Sequence, residues 1–231
     1  MTRPAAPLRA LHATVFLGLT AFAVIAAEAE WTQLLRMLTA PFSYGVGPDP
    51  VALGGSALSL AGAAWMAWGW GRHRVAPLAA SVLVLAGAVV AGVVRSQGQP
   101  TRSAEAANRR LVEVAAHVER EMAQVLQREG ELPPWGTAWE QALQTAAGGE
   151  SPVRVGLWGA APIVVTRLLQ SDARPPARPG TLWVWVSEDA AAFEIVPVGF
   201  SADGGFGPLA DERGEPLVLR TTYDPQGGAG R

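Results

Sequence analysis

VALGGSALSLAGAAWMAWGWGRHRVAPLAASVLVLAGAVVAGVVR, residues 51–95, decides how this chain is built. Residues 51–70 and 75–94 each run for twenty positions without a formal charge. A helix needs about 20 apolar residues to cross the hydrocarbon core of a bilayer. Between the two runs lies Gly71-Arg72-His73-Arg74, too short for anything but a tight helical hairpin. Upstream, residues 13–27 are also uncharged, and residues 10–12 extend them towards a full span. The expectation is a transmembrane domain over residues 1–95, with spans at about 10–28, 51–70 and 75–95.

The charges divide the chain. Residues 1–100 carry only Arg3, Arg9, Glu28, Glu30, Arg36, Asp49, Arg72, Arg74 and Arg95, and all other charges follow. The later part holds more acids than bases and reads as water-soluble, with no basic stripe that would track nucleic acid. Cysteine is absent, which removes disulfides and thiolate chemistry. Every basic side chain except histidine is arginine, which reads as genomic base composition rather than phosphate recognition.

Arginine placement orients the spans. Arg3, Arg9, Arg72 and Arg74 flank them on one side, which is therefore expected to be cytoplasmic. The loop over 28–50 has one arginine against three acids and is expected to face out. This places the chain in a bacterial inner membrane, N-terminus cytoplasmic, with everything after Arg95 periplasmic. Ala27-Glu28-Ala29 has the small-x-small form of a signal-peptidase site, so cleavage of the first span is an open alternative that leaves the final topology unchanged.

Trp65, Trp68 and Trp70 cluster at one end of the second span and Trp31 follows the first, as in an interfacial belt. A pigment or quinone site is the sharper alternative. Gly55 and Ser59, Gly87 and Ala91, and Ala88 and Gly92 are small residues four apart, a spacing that lets helix backbones approach. They suit packing within one subunit, with a homo-oligomer seam as the alternative. No ionisable residue lies mid-span, which argues against a transporter.

Residues 96–102, with Gly98 and Pro100, read as a linker. Ser103 can cap a helix that has Glu105 in its first turn and stops at Gly130. Ala104, Asn108, Leu111, Ala115, Val118, Met122 and Val125 recur at intervals of four and three. This stripe is expected to pack on the domain's own sheet; a coiled-coil contact with a partner is the alternative. Thr137 and Glu140 have capping-box spacing ahead of a short helix carrying Trp139, Leu143 and Ala146. Val153, Val155 and Leu157 alternate as a strand does. Residues 162–170 fit strand or helix, and 174–180, with three prolines, form a loop. Residues 181–186, 193–200 and 216–222 read as strands, with Trp183 and Trp185 on one face and Leu182, Val184 and Val186 on the other. The expected fold is three transmembrane α-helices followed by a soluble α+β domain over 103–225, a long helix on an antiparallel sheet, with a flexible tail at 226–231.

REGELPPW at 128–135 and VPVGFSADGGFGP at 196–208 carry a resemblance. Residues 103–225 resemble the globular part of type IV pilins and type II secretion pseudopilins. In that family a long helix, commonly ended by G-x-L-P, packs on an antiparallel sheet, and a glycine-rich Ala-Asp-Gly loop binds calcium. The resemblance implies calcium near Ala202-Asp203-Gly204. The chain lacks the prepilin cleavage signature and has three expected spans, which implies a membrane-fixed relative and not a fibre subunit.

Read from its own residues, 199–216 is a connection between strands, where glycines supply positive φ and acids prefer solvent. A calcium loop is the alternative, with Asp203, Asp211 and Glu212 supplying carboxylate oxygens. His117, the soluble half's single histidine, reads as a solvated helical side chain. No nucleophile elbow, P-loop or histidine pair is present, and the pairs Glu188-Asp189 and Asp211-Glu212 fall in expected turns. The expectation is a non-catalytic assembly subunit whose partners are the bilayer and other envelope proteins. Trp183, Trp185, Leu111 and Val118 are its candidate interface residues. An extracytoplasmic ligand-binding or sensing module is the second class.

Overall fold

The computed structural model describes residues 6–71, 78–98, 102–149, 151–157, 159–201 and 204–224. The chain divides into two compact units: Met1–Thr39 with Gly47–Pro100, and Ala40–Val46 with Thr101–Arg231.

The first unit is helical: α1 (Ala6–Ala26), α2 (Glu28–Thr39), α3 (Pro50–Gly71) and α4 (Leu78–Ser96). α3 and α4 are each long and apolar enough to cross a membrane. The segment expected to span over 10–28 is α1 followed by α2, and from Ala10 onward the two pass the same test when counted together as one bent segment. The chain breaks at Ala27, and α2 departs from α1 at 53°. Residues 28–39, expected within an outward loop, are helical. Glu28 and Glu30 in the first turn and Arg36 in the last complement the helix dipole. Arg3, Arg72 and Arg74, which carry the orientation argument, lie outside the described residues, as does the Arg9 side chain.

Small residues set the helix spacing within this unit. A Cβ at Gly87 would fall inside van der Waals distance of Gly55 O and lie 2.7 Å from Ser59 N; one at Gly62 would lie 2.8 Å from Ala80 O. The α3 and α4 backbones therefore touch, and they run antiparallel, since Gly55 meets Gly87 while Gly62 meets Ala80. Ser59 Oγ donates across the seam to Val84 O at 3.3 Å. α1 packs against both α4 and α3, and Ala23 and Ala26 meet Ala88 and Ala91. Arg95 Nη1 donates to Ile25 O at 3.0 Å and so occupies a carbonyl that the end of α1 leaves unpaired.

The second unit begins with α5 (Ala104–Glu129). Its limits are those read from sequence: Ser103 Oγ accepts the Ala106 N–H, and Gly130 closes the helix at φ 81°. The buried stripe is Ala107, Leu111, Val114, Ala115, Val118, Met122 and Leu126. Val125, expected inside, is half-buried, and Leu126 replaces it. A straight helix of 3.6 residues per turn drifts away from a strict four-three repeat. α6 (Thr137–Ala147) also departs from expectation at its start: Gly136 is its N-cap at φ 140°, and no side chain caps it, so the Thr137–Glu140 box is not made.

Two sheets complete the unit. β1 (Ser43–Tyr44), β2 (Val153–Val155) and β3 (Gly159–Ala160) form a small antiparallel sheet in that order. Leu157 lies in the turn between β2 and β3 and not in a strand. The larger sheet runs β4 (Val164–Leu168), β5 (Thr181–Val186), β6 (Ala192–Phe200), with β7 (Phe206–Pro208) and β8 (Leu219–Thr222) both pairing β6. It is mixed, not antiparallel as expected, because β4 and β5 are parallel. The long segment 169–180 gives the chain the length to cross back, which a tight turn would not. β8 starts at Leu219, later than expected, and Pro216 makes only an isolated bridge to Ala210.

α5 and α6 cover one face of the larger sheet. Leu111, Val114, Val118, Met122, Leu126 and Trp139 join Leu182, Val184, Phe193 and Ile195 in one core. Trp139 stacks on Trp135 and meets Phe193 edge-on, both at 5.5 Å between ring centres. Trp183 lies on the opposite face with Leu168, Val196 and Val198, packed by Ala177 of the proline-rich loop. Arg174 adds a guanidinium 5.7 Å from the Trp183 ring centre.

Candidate functional site

Leu111 and Val118, candidate interface residues in the sequence reading, are fully buried beneath the sheet and offer no surface. Trp183 is buried under the 171–180 loop, and Trp185 is half-buried beside it. Their alternation is the one expected. The structure brings Trp183 and Trp185 together and separates them, through the thickness of the sheet, from Leu111 and Val118.

Asp211 closes its own turn. Its Oδ1 accepts the N–H groups of Arg213 at 2.8 Å and Glu215 at 3.0 Å, and Gly214 follows at φ 81°. Glu212 is exposed and Asp203 lies outside the described residues. Among the described residues no three His, Cys, Asp or Glu side chains gather to hold a metal ion. The 199–216 segment is also more than a plain connection, since β7 forms inside it and pairs Gly199 with Gly207. Asp189 plays a role like that of Asp211: the Ser187 hydroxyl, and then the Ala191 N–H, hold its carboxyl below the usual carboxylate range. His117 is half-buried on α5.

Asn108 is the residue whose role the sequence reading missed. Counted there as part of the apolar stripe, it clamps the end of β6. Its Nδ2 donates to Phe200 O at 2.7 Å, and its Oδ1 accepts the Phe200 N–H at 2.9 Å. Its amide thus replaces a neighbouring strand. Gly199 permits the approach, because a Cβ there would collide with Asn108 Oδ1 and Leu209 Cδ2. An asparagine inside an otherwise apolar repeat was the available signal.

Among the described residues, two clefts of about 460 Å³ each open on this unit. One follows the start of α5, between Val112 and Asn108 on the helix and Phe200, Pro208 and Leu209 on the sheet. The other is formed by Gly45, Arg110, Ser151, Arg154 and Ala160, where three distant parts of the chain meet. Arg154 Nε donates to Gly45 O at 3.3 Å, and Arg110 is tied to Glu113 at 3.3 Å. These guanidinium groups keep further N–H donors that suit a carboxylate or phosphate.

At the far edge of the larger sheet, β4 pairs, among the described residues, on one side only. Just after it, Leu169 is 91% exposed, the most exposed large apolar side chain among the described residues of the unit, and Arg167 before it is also exposed. An open strand edge ending in an exposed leucine is chemically suited to contact with another protein. No family model, curated protein or solved structure matches this chain.

Proposed function

We propose that the chain is a non-catalytic, membrane-anchored protein of the bacterial envelope whose soluble domain docks to partner proteins. In this reading α1, α3 and α4 are three spans of the inner membrane, with the N-terminus and residues 72–77 cytoplasmic and residues 101–231 outside. Two things support it. Arg3, Arg9, Arg72 and Arg74 flank the spans at one end, against Arg36 and Arg95 at the other. The β1–β2 pairing requires residues 43–44 and 153–154 to share a compartment, as a hairpin of α3 and α4 returning the chain to the side it left would provide. The pilin-type likeness is carried as part of this proposal, with α5 packed along β6 and β8.

The observation that carries docking is Leu169, exposed at the end of the open edge strand β4. Leu169→Asp should leave the melting temperature within about 0.5 kcal/mol of equivalent stability, as surface changes do. It should also remove most of the protein that co-purifies with the tagged chain from detergent-solubilised membranes. Co-purification undiminished by Leu169→Asp would exclude this edge as the docking surface. A second reading, a ligand-binding module, is favoured by the cleft that holds Arg110 and Arg154.

A further inference from the structure

α2 presents its polar residues to the protein and its leucines to the outside. Glu30, Gln33 and Met37 are buried, Glu30 to 3% exposure, whereas Leu35 is 59% and Leu38 61% exposed. Polar contacts pin this setting. Glu30 Oε2 accepts the Asp49 N–H at 2.6 Å, and Asp49 Oδ1 in turn accepts the Val51 N–H at 2.7 Å at the start of α3. Trp31 Nε1 donates to Ser56 Oγ on α3 at 2.9 Å. The leucines cannot rotate inward without breaking these bonds.

At about 100° per residue the outer surface of α2 divides into two sectors. Trp31, Leu34, Leu35 and Leu38 fall in one, and Glu28, Thr32 and Thr39 in the other. A helix wetted all round would not place its leucines on the open side. With twelve residues, rising about 1.5 Å each, α2 is also too short to cross a core of about 30 Å. It leaves α1 at 53°, and α1, ending one residue before it, also exposes Leu17, Phe22 and Ile25.

We propose that α2 is an interfacial helix, lying at the boundary between headgroups and acyl chains with Leu35 and Leu38 in lipid and Thr32 towards water. This rests on the reading of α3 and α4 as spans. The occupant of the apolar sector is lipid, because α2 follows directly on a helix that itself exposes apolar side chains, and its polar neighbour gives it a water-facing side.

The chain has no cysteine, so single labels are unambiguous. Leu38→Cys, Leu35→Cys and Thr32→Cys, with Leu60→Cys on α3 and Val89→Cys on α4 as depth standards, would each carry a nitroxide in the full chain. The chain would be reconstituted in phosphatidylcholine nanodiscs. Collision rates with oxygen and with a water-soluble nickel chelate then report the surroundings of each label. The expected result is oxygen-rich, nickel-poor labels at 35 and 38, shallower than those at 60 and 89, and a label at 32 several-fold more accessible to nickel. The proposal is overturned if labels 35 and 38 meet nickel as freely as label 32 while 60 and 89 remain deep in lipid. It is equally overturned if 35 and 38 are shielded from both reagents, which would mean a protein covers them. Nickel access at 60 and 89 would instead overturn the span reading beneath it.

Discussion

Val118→Asp should destabilise the soluble unit by about 4 kcal/mol, because it places a carboxylate where no water or cation reaches. Val118 is fully buried at the middle of the α5 stripe, in the core that also holds Leu182, Val184, Phe193 and Ile195. The charged form would be strongly disfavoured, and the neutral acid would still lack a hydrogen-bond partner among aliphatic groups. For a chain of this size the melting temperature should fall by about 10 °C, followed by near-ultraviolet circular dichroism of the full protein in detergent. Gln124→Asp, on the exposed face of the same helix, controls for the charge alone and should change little. If Val118→Asp melted like the parent, the stripe would face outward to a partner, the alternative that the four-three repeat also allowed.

The second large effect lies in the helical unit and reverses the usual sign. Alanine is normally favoured over glycine within a helix by up to about 1 kcal/mol. Gly54→Ala should follow that rule, since nothing lies within 4 Å of the new methyl group. Gly87→Ala should do the opposite and destabilise by roughly 2–3 kcal/mol. Its methyl group would meet Gly55 O and Ser59 N, and backbone atoms cannot turn aside as a side chain can. The α3–α4 seam must then open and lose the Ser59–Val84 bond. Unfolding in mixed micelles with rising dodecyl sulfate should show an earlier transition for Gly87→Ala and an unchanged or later one for Gly54→Ala. Equal transitions would mean that the two helices do not pack through their glycines.

The elements that were legible in the sequence have local causes. α5 was readable at both ends because Ser103 and Gly130 satisfy backbone groups within a turn of themselves. β5 was readable from alternation alone, with Trp183 and Leu182 on opposite faces. What escaped depends on distant partners. β1 is only Ser43 and Tyr44, too few residues to show a period, and it is a strand because Arg154 and Val153 pair with it. The parallel direction of β4 is decided by how residues 169–180 return, although their length and prolines hinted that no hairpin was possible. α2 was within reach, since Trp31, Leu35 and Leu38 follow helical spacing. The charges around them suggested a loop instead. At the candidate docking edge, Leu169 could not be recognised from sequence because exposure at a strand end is a property of the sheet. Asn108 and Gly199 were each visible, but they stand 91 positions apart (199 − 108) and only the fold joins them.

The most direct test of the central claim, a membrane-anchored protein holding its soluble domain outside the cytoplasm, is a pair of reporters fused after Arg231 in a bacterial host. One is a phosphatase that folds only after export, and the other a fluorescent protein that matures only in the cytoplasm. The account predicts an active phosphatase in the membrane fraction and a dark fluorescent fusion. A fluorescent fusion with an inactive phosphatase would place residues 101–231 inside and contradict it.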